Sequence, residues 1–376
     1  IYGTATALPY TNAPTDPTAY NGQGVGYIAY HVPVPKMLEW NLEVQRAFAT
    51  NYMAQLAYVG SHGSKLIFLT DLNAVPQQYL SSNDTQYRPY QLYQSIAGST
   101  NNGISNYHSL QASITKRMTK GVSYSFNYVW SHMLDDQDSS GWGSHGGPQN
   151  WQIANNTRAN YSNSNFDVRH AFKGYIVYAL PFGQGQRFLN QGTLVNQVLG
   201  GWQISGTVVE MTGQPFTVFG TQNTYQQAGS PFPNWNPGVS WKPLHQSARC
   251  TFPSPGACMN EWYNPAAFTM PANGEFGNVR RNALYGPGIN QVNLSGGKSF
   301  ALPWEGMSLM VRADATNAFN HASFGLPTGT LGGAPGPGQP YTYGQNSQGA
   351  GAGTTEQISG TTVGGRAMQF LMKLTF

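Results

Sequence analysis

The sequence predicts an all-β chain, an antiparallel up-and-down barrel that crosses a membrane with strands. Three observations predict it. Apolar and polar residues alternate with period two in nine separate segments. Charged residues make up only 9% of the chain and aromatics 13%, whereas a soluble domain carries about 25% charge. The connections alternate between short links and long segments rich in Gly, Pro, Asn and Ser, the asymmetry of a barrel with tight turns at one rim and long loops at the other.

The segments follow in order. In 37–45, Leu38, Trp40, Leu42 and Val44 alternate with Glu39, Asn41, Glu43 and Gln45; in 51–60, Tyr52, Ala54, Leu56 and Tyr58 keep phase. Leu110, Ala112 and Ile114 precede the turn "TKG", after which Val122, Tyr124, Phe126, Tyr128 and Trp130 alternate with Ser and Asn, a hairpin pattern. Segment 171–180 offers Phe172, Ile176, Tyr178 and Leu180, and 201–211 offers Trp202, Ile204 and Val208. Segment 289–300 offers Val292 and Leu294, and 307–316 offers Leu309, Val311, Ala313 and Ala315. The terminal strand places Met368, Phe370, Met372, Leu374 and Phe376 on one face. Helical periodicity is absent from this reading.

In hydrocarbon every backbone polar group must be paired, so a closed barrel is the β structure that crosses a bilayer. Its lipid face is the apolar, aromatic one. The charged residues Glu39, Glu43, Lys173, Arg312 and Asp314 fall in the opposite phase and are expected to face the lumen. The competing architecture, a soluble β-sandwich, would carry charged outer faces and shorter loops. Residues 1–37 read as an outer loop or an incomplete preceding strand, with "GYIAYHV" (26–32) as a short candidate. Residues 38–376 read as the barrel segment, with long extracellular loops at 60–105, 132–168, 212–288 and 317–366. Nine strands is odd for a bacterial single-chain barrel. The chain also starts without Met or a signal peptide, so it reads as a processed product or the C-terminal piece of a larger barrel.

Other function classes find little support. Lys and Arg are scattered, which argues against a nucleic-acid partner. No stretch of 18 apolar residues offers a transmembrane helix. H-E-x-x-H, C-x-x-C, a P-loop and G-x-S-x-G are absent, so no enzymatic activity and no cofactor are expected. Ser, His and Asp crowd "SHMLDDQDSSGWGSHGG" (131–147) without the setting of a triad. There, Asp135, Asp136 and Asp138 read either as a solvated acidic loop or as oxygen ligands for calcium, at a spacing unlike an EF-hand. Cys250 and Cys258 flank a Pro- and Gly-containing turn and are expected to close a small disulfide in an oxidising compartment, with two free thiols as the alternative. Trp142, Trp151, Tyr161, Trp235 and Trp241 either stack on sugars or peptides or pack on one another.

The ordered motifs resemble the C-terminal barrel of TonB-dependent receptor-like outer-membrane proteins of the Oar type. They are "EWNLEVQRAFATNYMAQLAYVGSHGSKL", "NYHSLQASITKRMTKGVSYSFNYVWSHMLDD", "NSNFDVRHAFKGYIVYALPFGQGQRF", "LGGWQISGTVVEMTGQPFTV", "FGNVRRNALYGPGINQVNLSGGKSF", "MVRADATNAFNHASFG" and the terminal strand. The resemblance covers most of 38–376. It implies residence in the cell outer membrane, contact with outer-membrane lipid, and nutrient capture or uptake. It also implies that a plug, a TonB-contacting portion and the remaining N-terminal strands, of roughly 22 in such a barrel, are supplied elsewhere. Phe370, Met372, Leu374 and Phe376 look like the C-terminal signal read by the barrel-assembly machinery. The alternatives are a structural or adhesion scaffold whose loops bind partners, and a secreted glycan-binding β-domain.

Overall fold

A computed structural model describes residues 18–376 except 19, 29–31, 81–84, 139–151, 155, 184, 191–192, 221–228, 230, 243–261, 305, 328, 333–334 and 342–360. Nine long strands form one sheet: β1 (Lys36–Phe48), β2 (Tyr52–Asp71), β3 (Ile96–Thr119), β4 (Val122–Asp135), β5 (His170–Ala179), β6 (Trp202–Met211), β7 (Ile289–Ala301), β8 (Ser308–Thr316) and β9 (Ala367–Thr375). Each pairs antiparallel with the next in chain order. This is the up-and-down meander that the alternation predicts. Within the described residues β1 and β9 are the sheet's two edges.

Cross-strand register explains the two faces. One row joins Leu42, Tyr58, Leu110, Trp130 and His170; the next joins Val44, Leu56, Ala112, Tyr128 and Phe172. Farther along, Ile204, Gly296, Ala313 and Phe370 share a row, as do Trp202, Lys298, Val311 and Met372. Large apolar side chains of this phase lie uncovered by protein: Leu42 is 70% exposed, Phe370 75% and Phe376 92%. A continuous apolar stripe of this extent does not face water in a stable protein. The opposite phase places Gln45, Gln55, Ser113, Asn127 and Lys173 side by side. Glu39, Glu43, Arg312 and Asp314 also fall in this polar phase.

Aromatics edge the apolar band. Trp40, Tyr58 and Trp130 sit toward the long-loop end, and Phe48, Tyr52 and Tyr124 toward the short-turn end. Trp40 lies so close over Gly60 that a Cβ there would meet its indole at 2.4 Å, so the glycine admits the ring. The eight residue steps from Trp40 to Phe48 span about 27 Å of strand at ~3.4 Å per residue. A ~40° tilt reduces this to about 20 Å of height, close to the ~25 Å apolar band of outer-membrane barrels.

The short turns use left-handed backbone. Lys120 (φ 50°) and Gly121 (φ 75°) join β3 to β4, and Ala49 (φ 44°) and Thr50 (φ 52°) join β1 to β2. Two consecutive positive φ values match the twist of the flanking strands. Lys116, in the apolar phase, sends its ammonium to the carbonyls of Thr119 (2.9 Å) and Val122 (2.7 Å) at this rim, the snorkelling expected of a Lys near an interface.

The structure departs from the sequence reading in four places. The loop expected over 60–105 shrinks to 72–95, because β2 runs on to Asp71 and β3 begins at Ile96. Beyond the apolar band the ladder continues where neither face needs an apolar stripe, so alternation does not mark it. Second, Val25–Ile28 pairs in parallel with Ile96–Ser99 at the loop-side extension of β3; it lies beside the barrel strands rather than among them. Third, two short helices form, Thr157–Asn160 and Thr193–Leu199, each too short to show a 3.6-residue period. Fourth, the apolar phase contains charges besides those in the polar phase. Lys298 is buried at 6% exposure and donates to the carbonyls of Asn196 (3.1 Å) and Gln197 (2.5 Å). The negative C-terminal end of the Thr193–Leu199 helix makes that position tenable.

Candidate functional site

The hydrophobic core among the described residues lies in the long loops, not in the sheet. Phe216, Val218, Tyr263, Phe268, Val279, Leu284, Leu331 and Tyr341 form one buried cluster drawn from 212–288 and 317–366. Two short strand pairs brace it, Pro215–Phe216 with Leu284–Tyr285 and Asn234–Trp235 with Phe268–Thr269. The loops therefore fold into a unit seated at the end of the sheet where β4 and β5 project.

Arg281 is the hub of this unit. Its side chain is 1% exposed and bonds Asp135 at the end of β4 and Asp138 at 2.6 Å. It also donates to the Asp135 carbonyl at 2.6 Å. The neighbouring Asn282 takes a left-handed conformation (φ 54°). It exchanges hydrogen bonds with Asn163 (Nδ2 to Asn163 O, 2.7 Å; Asn163 Nδ2 to Asn282 O, 3.0 Å) and with Thr217. Asp167 accepts from the Met133 amide (2.7 Å) and the Tyr285 hydroxyl (3.0 Å). The Gln152 carboxamide accepts from the amides of Phe232 (3.2 Å) and Gly277 (3.0 Å) and donates to the Gly277 carbonyl (2.9 Å). The two loops 132–168 and 212–288 are thus fastened to each other by charged and amide groups.

The acidic trio is neither a solvated loop nor an open calcium cage. Asp135 and Asp138 are consumed by Arg281, and Asp136 accepts twice from the Ile104 amide, at 3.1 and 3.0 Å. Burial raises the Asp136 carboxyl to about 6, opposed by the Ile104 amide. Among the described residues no group of three His, Cys, Asp or Glu converges on a metal position. Ser131 donates to the Val168 carbonyl at 2.7 Å and His132 pairs with Asn163 at 3.0 Å, so these two do not form a nucleophile–base pair. Cys250, Cys258, Trp142 and Trp151 lie outside the described residues. Of the other aromatics, Trp235 stacks on Phe268 (5.0 Å), Trp241 packs on the loop core, and the Tyr161 hydroxyl accepts from Asn106 at 2.6 Å. These three take part in ordering the loops.

The sheet holds a second feature. A groove of about 310 Å³ is lined by Gln203, Ser205, Ser295, Ser299 and Arg312 on the polar face. Arg312 donates to Asp314 at 2.7 Å and to Ser295 at 3.0 Å. Two of the five charges expected on this face, Arg312 and Asp314, thus neutralise each other. Sequence reasoning missed Arg281, Asn282, Asp167 and Gln152. The available signal was charge complementarity, since "NVRRN" in one loop faces "DDQD" in another within loops otherwise poor in charge.

Comparison with known proteins agrees with this geometry. The family model described as "Outer membrane beta barrel domain" matches residues 2–369. Among solved structures the chain is similar to the outer membrane transporter YddB from Escherichia coli, with 10% sequence identity and a TM-score of 0.41. That alignment covers 93% of this chain and 34% of that one, so the chain spans about a third of that protein's length. No curated protein matches the chain.

Proposed function

Since this chain belongs to the outer membrane beta-barrel domain family, we propose that it is the barrel segment of a TonB-dependent receptor- or transporter-like protein that takes part in nutrient capture or uptake. It resides in the outer membrane, which sets aside the secreted glycan-binding domain. The observation that carries the reading is the polar phase: Gln45, Gln55, Ser113, Asn127 and Lys173 share a row across five strands. A wet, hydrogen-bonding wall suits a lumen that passes polar solutes. In this reading Glu39, Glu43, Lys173, Arg312 and Asp314 line that lumen, the short turns are periplasmic, and the loop unit stands outside the cell.

Unpaired edges are untenable in lipid. We assign the strands beside β1 and β9 to a remaining N-terminal barrel portion that also brings the plug and the TonB contact. Phe370, Met372, Leu374 and Phe376 present the stripe that the barrel-assembly machinery would read. The scaffold alternative rests on the folded loop unit, which offers a rigid platform for partners. Growth of a gene-deletion strain and a TonB-deletion strain on panels of sole carbon and iron sources separates the two. Shared deficits support uptake. Full growth with lost surface adherence supports the scaffold and sinks uptake.

A further inference from the structure

A groove of about 570 Å³ lies in the apolar phase at the long-loop rim. Its floor is the row Tyr128, Phe172, Glu210 and Asn290; His170, in the adjoining row, and His321, from the loop after β8, flank it. The volume falls in the ~300–1,000 Å³ range of small-molecule sites. The groove has two characters. Phe172 and the face of Tyr128 continue the uncovered apolar band below it. Glu210, Asn290, His170 and His321 put polar atoms at the rim. The Asn290 carboxamide donates to one Glu210 oxygen at 3.1 Å, which leaves the second oxygen for a ligand. Tyr128 and His170 stack at 6.1 Å and share a hydrogen bond, Oη to Nδ1 at 2.7 Å, which engages the Nδ1 side of the imidazole. Among the described residues no Lys or Arg lines the groove.

A carboxylate without a neighbouring Lys or Arg repels phosphate and favours hydroxyl donors. Flat aromatic and imidazole surfaces suit a sugar ring, and the apolar band beneath suits acyl chains. The geometry points to a glycolipid site: Glu210, Asn290 and His321 hold the sugar headgroup of an outer-leaflet lipid whose chains run down over Phe172. The assignment rests on the orientation proposed above, with the loops outside, but not on uptake.

The test uses the protein extracted from outer membranes in detergent and native mass spectrometry with three probes: a monoglucosyl diacylglycerol, a phosphatidylglycerol with the same chains, and methyl glucoside. The glucolipid should bind at least tenfold more than either other probe. Glu210→Gln and His321→Leu, each confirmed folded by heat-modifiable gel mobility, should reduce glucolipid adducts about fivefold or more. Equal binding of phosphatidylglycerol, equal binding of methyl glucoside, or unchanged adducts in both folded variants would each overturn the site. Loss of uptake leaves these readouts untouched, so failure of the transport reading and failure of this one are told apart.

Discussion

Arg281 places a full positive charge where only 1% of its side chain meets solvent, and two carboxylates equally buried answer it. Such a triad adds little net stability over a well-packed apolar one, but removing one member strands the others. Arg281→Met leaves Asp135 and Asp138 facing each other without a cation. The expected outcome is a loss of ~3–5 kcal/mol from the loop unit, seen as protease cleavage within 212–288 on intact cells, with barrel mobility on gels unchanged. Arg281→Lys should rescue only in part, because a single ammonium cannot reproduce two directed contacts. Asp136 offers a pH test. Burial pushes its carboxyl up to about 6 in the folded protein, from 3.8 for a free aspartate side chain. A raised carboxyl favours the protonated folded state, so its contribution is full below about pH 4 and is lost as pH rises through 6. Unfolding of the loop unit, followed by hydrogen exchange corrected for intrinsic rate, should cost more at pH 4.5 than at pH 7. Asp136→Asn should flatten that difference; an unchanged slope would place the titration elsewhere.

At the scale of elements, β8 and β9 test the assignment of faces. Val311 pairs with Lys298 on β7 and Met372 on β9. Val311→Arg puts a second cation beside Lys298 in the apolar phase, where a mid-bilayer Arg costs about 2–4 kcal/mol. Asp314→Asn, in the polar phase, weakens only its contacts with Arg312 and the Ser295 hydroxyl. Assembled barrel measured by heat-modifiable mobility should fall far more for Val311→Arg; the reverse ranking would mean the faces are exchanged, as a one-residue slip of register would do. Phe376 extends beyond β9 in phase with Phe370, Met372 and Leu374. Phe376→Asp should lower assembled protein without yielding an inserted, misfolded form, whereas Thr375→Ser should be mild. Normal surface labelling of loop 212–288 in Phe376→Asp would show that the stripe is not an assembly signal.

The whole molecule divides its hydrophobic residues between two environments. The sheet turns its large side chains outward, and the loop unit turns a smaller set inward around Phe268 and Tyr263. The outward set is what makes this a membrane protein. Extraction from outer membranes should require detergent and resist carbonate or urea; recovery in the soluble fraction after such a wash would refute the bilayer-facing sheet. The inward set makes the loops a folded body with its own stability, so cleavage or mutation there should leave the sheet in the membrane.

The strands, their order and their two faces were legible in the chain itself. Lipid imposes a period-two rule on every crossing residue, and 38–58, 110–130 and 368–376 obey it visibly. The family resemblance of the barrel motifs followed from the same segments. The extension of β2 and β3 beyond the band was not legible, because in water a paired strand has no fixed side-chain pattern. Nor was the loop unit. Whether Asp135 is solvated, metal-bound or ion-paired depends on Arg281, 146 residues away, and no local spacing encodes a partner at that distance. Tertiary structure alone brought Gln152, Asn163, Thr217 and Asn282 together, and placed Glu210 beside Asn290 and His321 at the rim. Local alternation is written by the solvent each residue meets; contacts between loops are written by the sheet beneath them, whose strand order brings distant segments of the chain to one rim.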